Sequence, residues 1–311
     1  MNTTHSISDG AFYTVVGGDR VRTPEKGETR VGVVLLNRGG RFRRGDYLSR
    51  LESRGIAELV SVDSAERAYD VEGLAADYPF ARFVLLQRMV NPGEQINIAL
   101  RELRSSHFLV LWNDIELKVG RDQLQRIAAK DALCACPHVR DSKSEMVPSL
   151  MRPVIHRKRF HVIPMDSPGE GDPVLFPFDY VGLYSREEYD ALGGYDPLVT
   201  SAYWQKLDFG FRAHLWGRQL TYERSLLCEY RSSVPAEDTT TDAAYTRFYL
   251  KNLAVERRGP RGYLPLGKLP GFMFRSGFHP LSAMRRFREV QSWVAAHEGR
   301  FVRDAEGVMQ M

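Results

Sequence analysis

The stretch His107–Leu117, HFLVLWNDIEL, decides the fold, because an apolar and aromatic run stops abruptly at Asn113, Asp114 and Glu116. A continuous run of this kind marks a strand buried on both faces of a parallel sheet. Ligands of open α/β sheets gather at the carboxyl ends of such strands. Acidic residues at that exit suggest a hard cation, and magnesium or manganese is commonly held by one or two carboxylates together with substrate phosphates. The competing reading is local: Asp114 caps the next turn and Glu116 faces water, since Asn/Asp clusters are frequent turn formers.

Working outward, the elements alternate. RVGVVLLN, 30–37, reads as a first strand and 46–54 as a short helix; AELVSVD, 57–63, reads as a second strand and 83–87 as a third. After Asn91-Pro92-Gly93, the apolar positions Ile96, Ala99, Leu100 and Leu103 have helical spacing over 94–104. His107–Trp112 is then a fourth strand. This order implies parallel pairing with right-handed crossovers. Asp63, at the end of the second strand, shares a rim with Asp114 and can accept from a base N–H or a ribose hydroxyl; a strand-end cap explains it as well. No Gly-x-Gly-x-x-Gly fingerprint follows the first strand and no complete Walker-type loop occurs, so a dinucleotide fold or P-loop is not expected.

The chain has 311 residues, long for one core, which suggests a large α/β domain with a C-terminal appendage. No apolar run is long enough to span a bilayer. The N-terminus lacks the basic and apolar segments of a secretory signal, and residues 1–29 read as a loosely attached arm. Three cysteines, Cys134, Cys136 and Cys228, cannot all pair and read as small core residues in a reducing cytoplasm. Between Glu256 and Arg303 ten Arg or Lys face three Glu, a local net of +7 in a chain of net +4. Residues 256–311 thus form a basic, aromatic extension. It suits an anionic membrane surface or acceptor, with nucleic acid a less favoured partner, or it is a solvated and partly packed helical tail.

The ordered pieces VGVVLLNR, ELVSVDS, NPGEQINIAL, LVLWNDIEL, PFDYVGLYSREEYDALGGYD and YWQKLDFGFRAHLWG resemble those of GT-A fold glycosyltransferases of the family 2 type. They lie within residues 30–217, about three fifths of the chain. The resemblance implies a three-layer αβα domain over 30–255 with a mostly parallel central sheet, its nucleotide-binding half at 30–118 and its acceptor half at 119–255, followed by a helical tail. It implies transfer of a sugar, with inversion, from a nucleotide-diphosphate donor to a glycan or lipid-linked acceptor at the cytoplasmic face of a membrane. Asn37, Asp63, Gly93, Asn97, Asn113 and Asp114 would then line the donor site. Asp114, helped by Glu116, would hold a divalent metal, Mg or Mn. Asp179, Gly194, Tyr203 and Trp204 would lie in the acceptor region.

The chain departs from the family pattern at three places. Trp112 stands where the first carboxylate of the metal motif often sits. Gln205-Lys206 replaces a Glu-Asp pair whose second member usually acts as base, leaving Asp208 as the nearest carboxylate for that role, or as an ion-pair partner of Arg212 four residues on. Lys206 could instead bring a fixed ammonium to the reaction centre and reduce dependence on metal. Beyond the strand read from QLTYERSLLCEY, Tyr230-Arg231-Ser232-Ser233 occupies the stretch where many relatives place a metal-binding His. These substitutions keep open an alternative, a catalytically impaired GT-A-like binding or assembly protein.

Overall fold

The computed structural model describes residues 3–8, 11–19, 21, 29–38, 44–156, 159–275 and 280–311. Along the chain come β1 (Thr3–Ser8), β2 (Ala11–Gly17), β3 (Val31–Leu36), α1 (Arg44–Ser53), β4 (Leu59–Ser64), α2 (Val71–Asp77), β5 (Ala81–Leu86), α3 (Pro92–Glu102) and β6 (His107–Trp112). Next are β7 (Ile115–Leu117), α4 (Arg121–Ala128), β8 (Cys134–Arg140), the hairpin of β9 (Met151–His156) and β10 (Arg159–Pro164), β11 (Gly182–Ser185), α5 (Arg186–Leu192), α6 (Ala202–Leu215) and β12 (Leu220–Tyr230). The last part holds α7 (Ala243–Phe248), which runs into a wider π-type turn at Tyr249–Leu253, then β13 (Glu256–Arg258), β14 (Arg261–Tyr263), α8 (Leu269–Arg275), α9 (Pro280–Ala296) and α10 (Ala305–Val308).

Ten strands form one sheet in the order β1-β2-β5-β4-β3-β6-β11-β8-β12-β7. The expected parallel centre is β5-β4-β3-β6, and antiparallel strands flank it. Val33, Val34, Leu36 and Phe108 to Leu111 are all at 0% exposure. Each such burial contributes about 1.5–3 kcal/mol, which is why the two apolar runs find each other. Their register places Leu36 opposite Trp112, so Asn37 and Arg38 leave the sheet beside Asn113 and Asp114. Asn91 caps α3 by accepting from the Glu94 amide at 3.0 Å, with Pro92 in the first turn.

One expectation fails. Residues 1–29 are not merely a loose arm, since β1 and β2 extend the main sheet and β2 pairs with β5 from Tyr13↔Leu86 to Gly17↔Arg82. The buried side chains of Tyr13, Val15 and Val16 anchor that edge. The described residues of 256–311 take the partly packed reading: Ala283, Phe287, Val290 and Val294 form the buried stripe of α9, Trp293 stacks on Trp216, and the Val302 amide donates to the Leu215 carbonyl at 2.9 Å. Arg285, Arg286 and Arg288 remain exposed on that helix. Phe278 lies outside the described residues. Among the described residues no helix is long and apolar enough to cross a membrane.

Candidate functional site

The carboxyl ends of β3, β4 and β6 form one rim. Asn37 donates from Nδ2 to Ser61 Oγ and to the Val62 carbonyl, both at 3.0 Å. Ser61 Oγ donates in turn to Asp63 Oδ2 at 2.8 Å, and Arg44 closes over Asp63 as an ion pair. Asn37, Arg44 and Ser61, with Tyr47 and Phe83, wall a narrow crevice that also takes in Asn113. Asn37 and Asp63 meet through Ser61, and Asn113 borders the same crevice as Asn37. Tyr47 fixes the end of β6 by donating to the Ile115 carbonyl at 2.6 Å.

Arg38 sits at the centre of the rim. Its Nε contacts Asp114 Oδ1 at 3.2 Å and Oδ2 at 3.1 Å, and its Nη2 donates to Oδ1 at 3.0 Å. Ser232 Oγ donates to Asp114 Oδ2 at 2.8 Å. The remaining nitrogen, Nη1, pairs with Asp179 Oδ2 at 2.7 Å, and Tyr230 donates to the same oxygen at 2.8 Å. The guanidinium carbon lies 4.4 Å from the centre of the Trp112 ring, and Trp112 Nε1 donates to the Asp179 carbonyl at 2.8 Å. The three departures near the metal motif, Trp112, Tyr230 and Ser232, therefore build one arginine cradle. Burial pushes the Asp179 carboxyl above the usual carboxylate range, against the opposing pull of Arg38 and Lys206. Asp179 and Tyr180 have φ of 51° and 64°, a left-handed pair costing about 1–3 kcal/mol per residue; such strain concentrates at functional sites.

An open cleft of about 1160 Å³ runs from Arg38, Trp112 and Asp179 to Tyr203, Lys206 and Glu237. Lys206 is 2% exposed, forms an ion pair with Glu237, and lies over the rings of Phe178 and Tyr180 at 5.6 Å and 5.4 Å. The expected ammonium is therefore at the cleft, while Gln205 is used internally. Its Oε1 accepts from the Gly93 amide and Tyr180 hydroxyl, both at 2.9 Å, and its Nε2 donates to Asn91 Oδ1 and the Asp196 carbonyl.

Several expected site residues serve the scaffold instead. Asp208 is at 0% exposure, held by Asn252 at 2.8 Å, Lys251 at 3.1 Å and Arg212 at 3.5 Å; it does not line the cleft, so its assignment as base is corrected to a buried ion pair. Gly93, Asn97 and Gly194 join α3 to the turn after α5. Asn97 donates to the Tyr195 carbonyl and accepts from the Tyr189 hydroxyl, while a Cβ on Gly194 would come within 2.5 Å of Asn97 Oδ1. Trp204 turns away, donating to the Thr240 carbonyl at 2.7 Å and packing on Tyr245 and Phe248, whereas Tyr203 lines the cleft. His214 Nε2 meets the Val174 carbonyl at 2.8 Å inside the core.

The residues do not fit the expected divalent metal. Glu116 pairs with Lys118 at 3.1 Å and Arg54 at 3.8 Å, because β7 pairs with β12 and Glu116 lies opposite Glu229. Both oxygens of Asp114 are engaged by Arg38 and Ser232. Among the described residues no three His, Cys, Asp or Glu side chains converge as a metal site. Sequence reasoning missed Arg38, Arg44, Ser232 and Glu237. The one available signal was Arg38 following Asn37 directly in VGVVLLNR.

No protein-family model matches the sequence, and no curated protein matches it. Among solved structures, the chain is similar to GalNAc-T7 crystallised with UDP, GalNAc and Mn2+, with a TM-score of 0.59 and 13% identity. That likeness covers 92% of this chain and 57% of GalNAc-T7, so the chain spans under three fifths of that protein's length. S. aureus TarS with UDP-GlcNAc gives a TM-score of 0.47 at 12% identity over 84% of this chain and 71% of that one. Nothing rests on this weaker likeness. Together with the parallel centre and its rim, the first comparison shows that this chain has the GT-A fold of glycosyltransferases.

Proposed function

We propose that the protein transfers a sugar from a nucleotide-diphosphate donor to a glycan or lipid-linked acceptor. The observation that carries this reading is one cleft at the carboxyl ends of the parallel strands, with the Arg38 cradle at one side and the Lys206–Glu237 pair at the other. Residues 30–118 supply the donor side through Asn37, Asp63 and Asn113; residues 119–255 supply Lys206, which faces the diphosphate, and the acceptor side through Tyr203 and Glu237. The acceptor hydroxyl attacks the anomeric carbon from the face opposite the diphosphate, inverting that centre. As the new C–O bond forms, the bond to the diphosphate breaks and its electron pair leaves with the phosphate oxygen. Glu237 takes the hydroxyl proton, replacing the buried Asp208 in that role, and general-base catalysis of this kind contributes about 10²–10⁴-fold. Positive charge facing the departing diphosphate stabilises it. The exposed arginines of α9 suit an anionic membrane surface on the cytoplasmic side, where a lipid-linked acceptor would lie.

The test is release of nucleoside diphosphate from UDP-, GDP- and TDP-sugars in the presence of oligosaccharide or lipid-linked acceptors. One donor is expected to turn over, with Glu237→Gln lowering the rate by about 10²-fold or more. A second reading, donor binding without transfer, is favoured by Gln205 and Lys206 at positions the family fills with carboxylates. Tight donor binding with no release from any donor supports it and removes the enzyme reading.

A further inference from the structure

The two carboxylates beside Arg38, Asp114 and Asp179, are not waiting for an ion. A carboxylate offers about four lone-pair sites, and Asp114 receives three donors: the single Nε–H of Arg38, shared between both oxygens, Nη2 on Oδ1 and the Ser232 hydroxyl on Oδ2. Asp179 receives the third guanidinium nitrogen and the Tyr230 hydroxyl on Oδ2. One cation thus bridges both acids. Its plane lies over Trp112, which is also within hydrogen-bond reach of the Asp179 backbone, and the strained left-handed conformation at Asp179 places that carboxylate beside it. The guanidinium stays charged at any physiological pH. It is also not sealed in: its side chain is 24% exposed and lines the open cleft. Of the five N–H donors of a guanidinium, three are engaged with Asp114 and Asp179, which leaves one on each of Nη1 and Nη2 for phosphate oxygens.

Building on the donor-binding reading, we infer that Arg38 replaces the divalent cation of the donor site, so that the diphosphate is held by the Arg38 fork with Lys206 and no metal is needed. Asp114 and Asp179 are positioning residues in this arrangement. They fix the fork rather than chelate an ion, and Trp112, Tyr230 and Ser232 take the places of metal ligands because they complete the arginine's setting.

The experiment has two arms. In the first, UDP, GDP and TDP are titrated into the protein with excess EDTA or excess manganese. Binding is expected to agree between the two conditions within about twofold. In Arg38→Gln, binding is expected to weaken by about tenfold or more in EDTA and to recover with manganese. Arg38→Lys keeps the charge but loses the fork, and its EDTA binding is expected to fall between the two; it also serves if Arg38→Gln does not fold. Parent binding that strengthens about tenfold or more with manganese overturns the inference while leaving the donor reading intact. In the second arm, manganese alone is followed by electron paramagnetic resonance. The parent is expected to leave the ion free, and Arg38→Gln to capture it on the vacated carboxylates. Capture by the parent that disappears in Asp114→Asn overturns the inference even if no nucleotide binds, a result that would count separately against the donor reading.

Discussion

Asp208 and His214 are both buried on α6, and each has a job that the surroundings define. Asp208 neutralises Lys251 and Arg212 at 0% exposure, and Lys251 also reaches Asp196 at 2.8 Å. Removing one partner of a buried network leaves uncompensated charge, so Asp208→Asn is expected to lose about 3–5 kcal/mol in urea unfolding. Transfer per folded molecule should remain near the parent level. His214 is buried, which holds its imidazole down to about 4, partly opposed by the Val174 carbonyl. In the unfolded chain it titrates near about 6.5, so between those values the unfolded state binds the extra proton. The contribution is therefore complete above about pH 6.5 and is lost as pH falls toward 4, by about 3 kcal/mol in all. Urea unfolding across that window should show the slope, and His214→Gln should flatten it. At this scale the sequence was partly readable: the Asp208–Arg212 spacing predicted the ion pair that exists. It was silent on Glu237, whose pairing with Lys206 joins residues 31 positions apart.

Elements were more legible than side-chain partners. The apolar run of β6 set its bounds at His107–Trp112, and helical spacing found α3. β1 and β2 were missed although they are as long as β3 and β6, because their pairing depends on the distant β5 edge and not on a local pattern. The contact of α6 with the segment before the strained turn was equally invisible. A Cβ added at Gly210 would lie 2.0 Å from the Leu175 carbonyl oxygen and 2.8 Å from Phe176 Cβ, so this helix rests directly on backbone. Lys206 lies one turn earlier and so faces the same segment, over Phe178. Gly210→Ala is expected to cost about 1–3 kcal/mol and to shift Lys206 from the cleft. Unfolding titrations check the first effect, and weaker nucleotide binding by the folded fraction checks the second. Stability within about 0.5 kcal/mol of the parent would contradict this packing.

Across the whole molecule, the sheet brings residues 37, 63 and 113 to one rim, while α6 and the segment after β12 close the opposite wall. The order of motifs made the GT-A fold legible. The position of Asn37, Asp63 and Asn113 at neighbouring strand ends was legible because strand ends can be aligned from a parallel reading. The cation's place was not, since it depends on the Arg38 rotamer and on Tyr230 and Ser232, which are nearly two hundred residues distant along the chain. The most direct measurement is calorimetric titration of UDP, GDP and TDP into the parent, Asp63→Asn and Lys206→Met. One nucleotide should bind the parent one-to-one and lose about tenfold or more in each variant. No binding of any of the three, or binding indifferent to both substitutions, would contradict a nucleotide-sugar donor in this cleft.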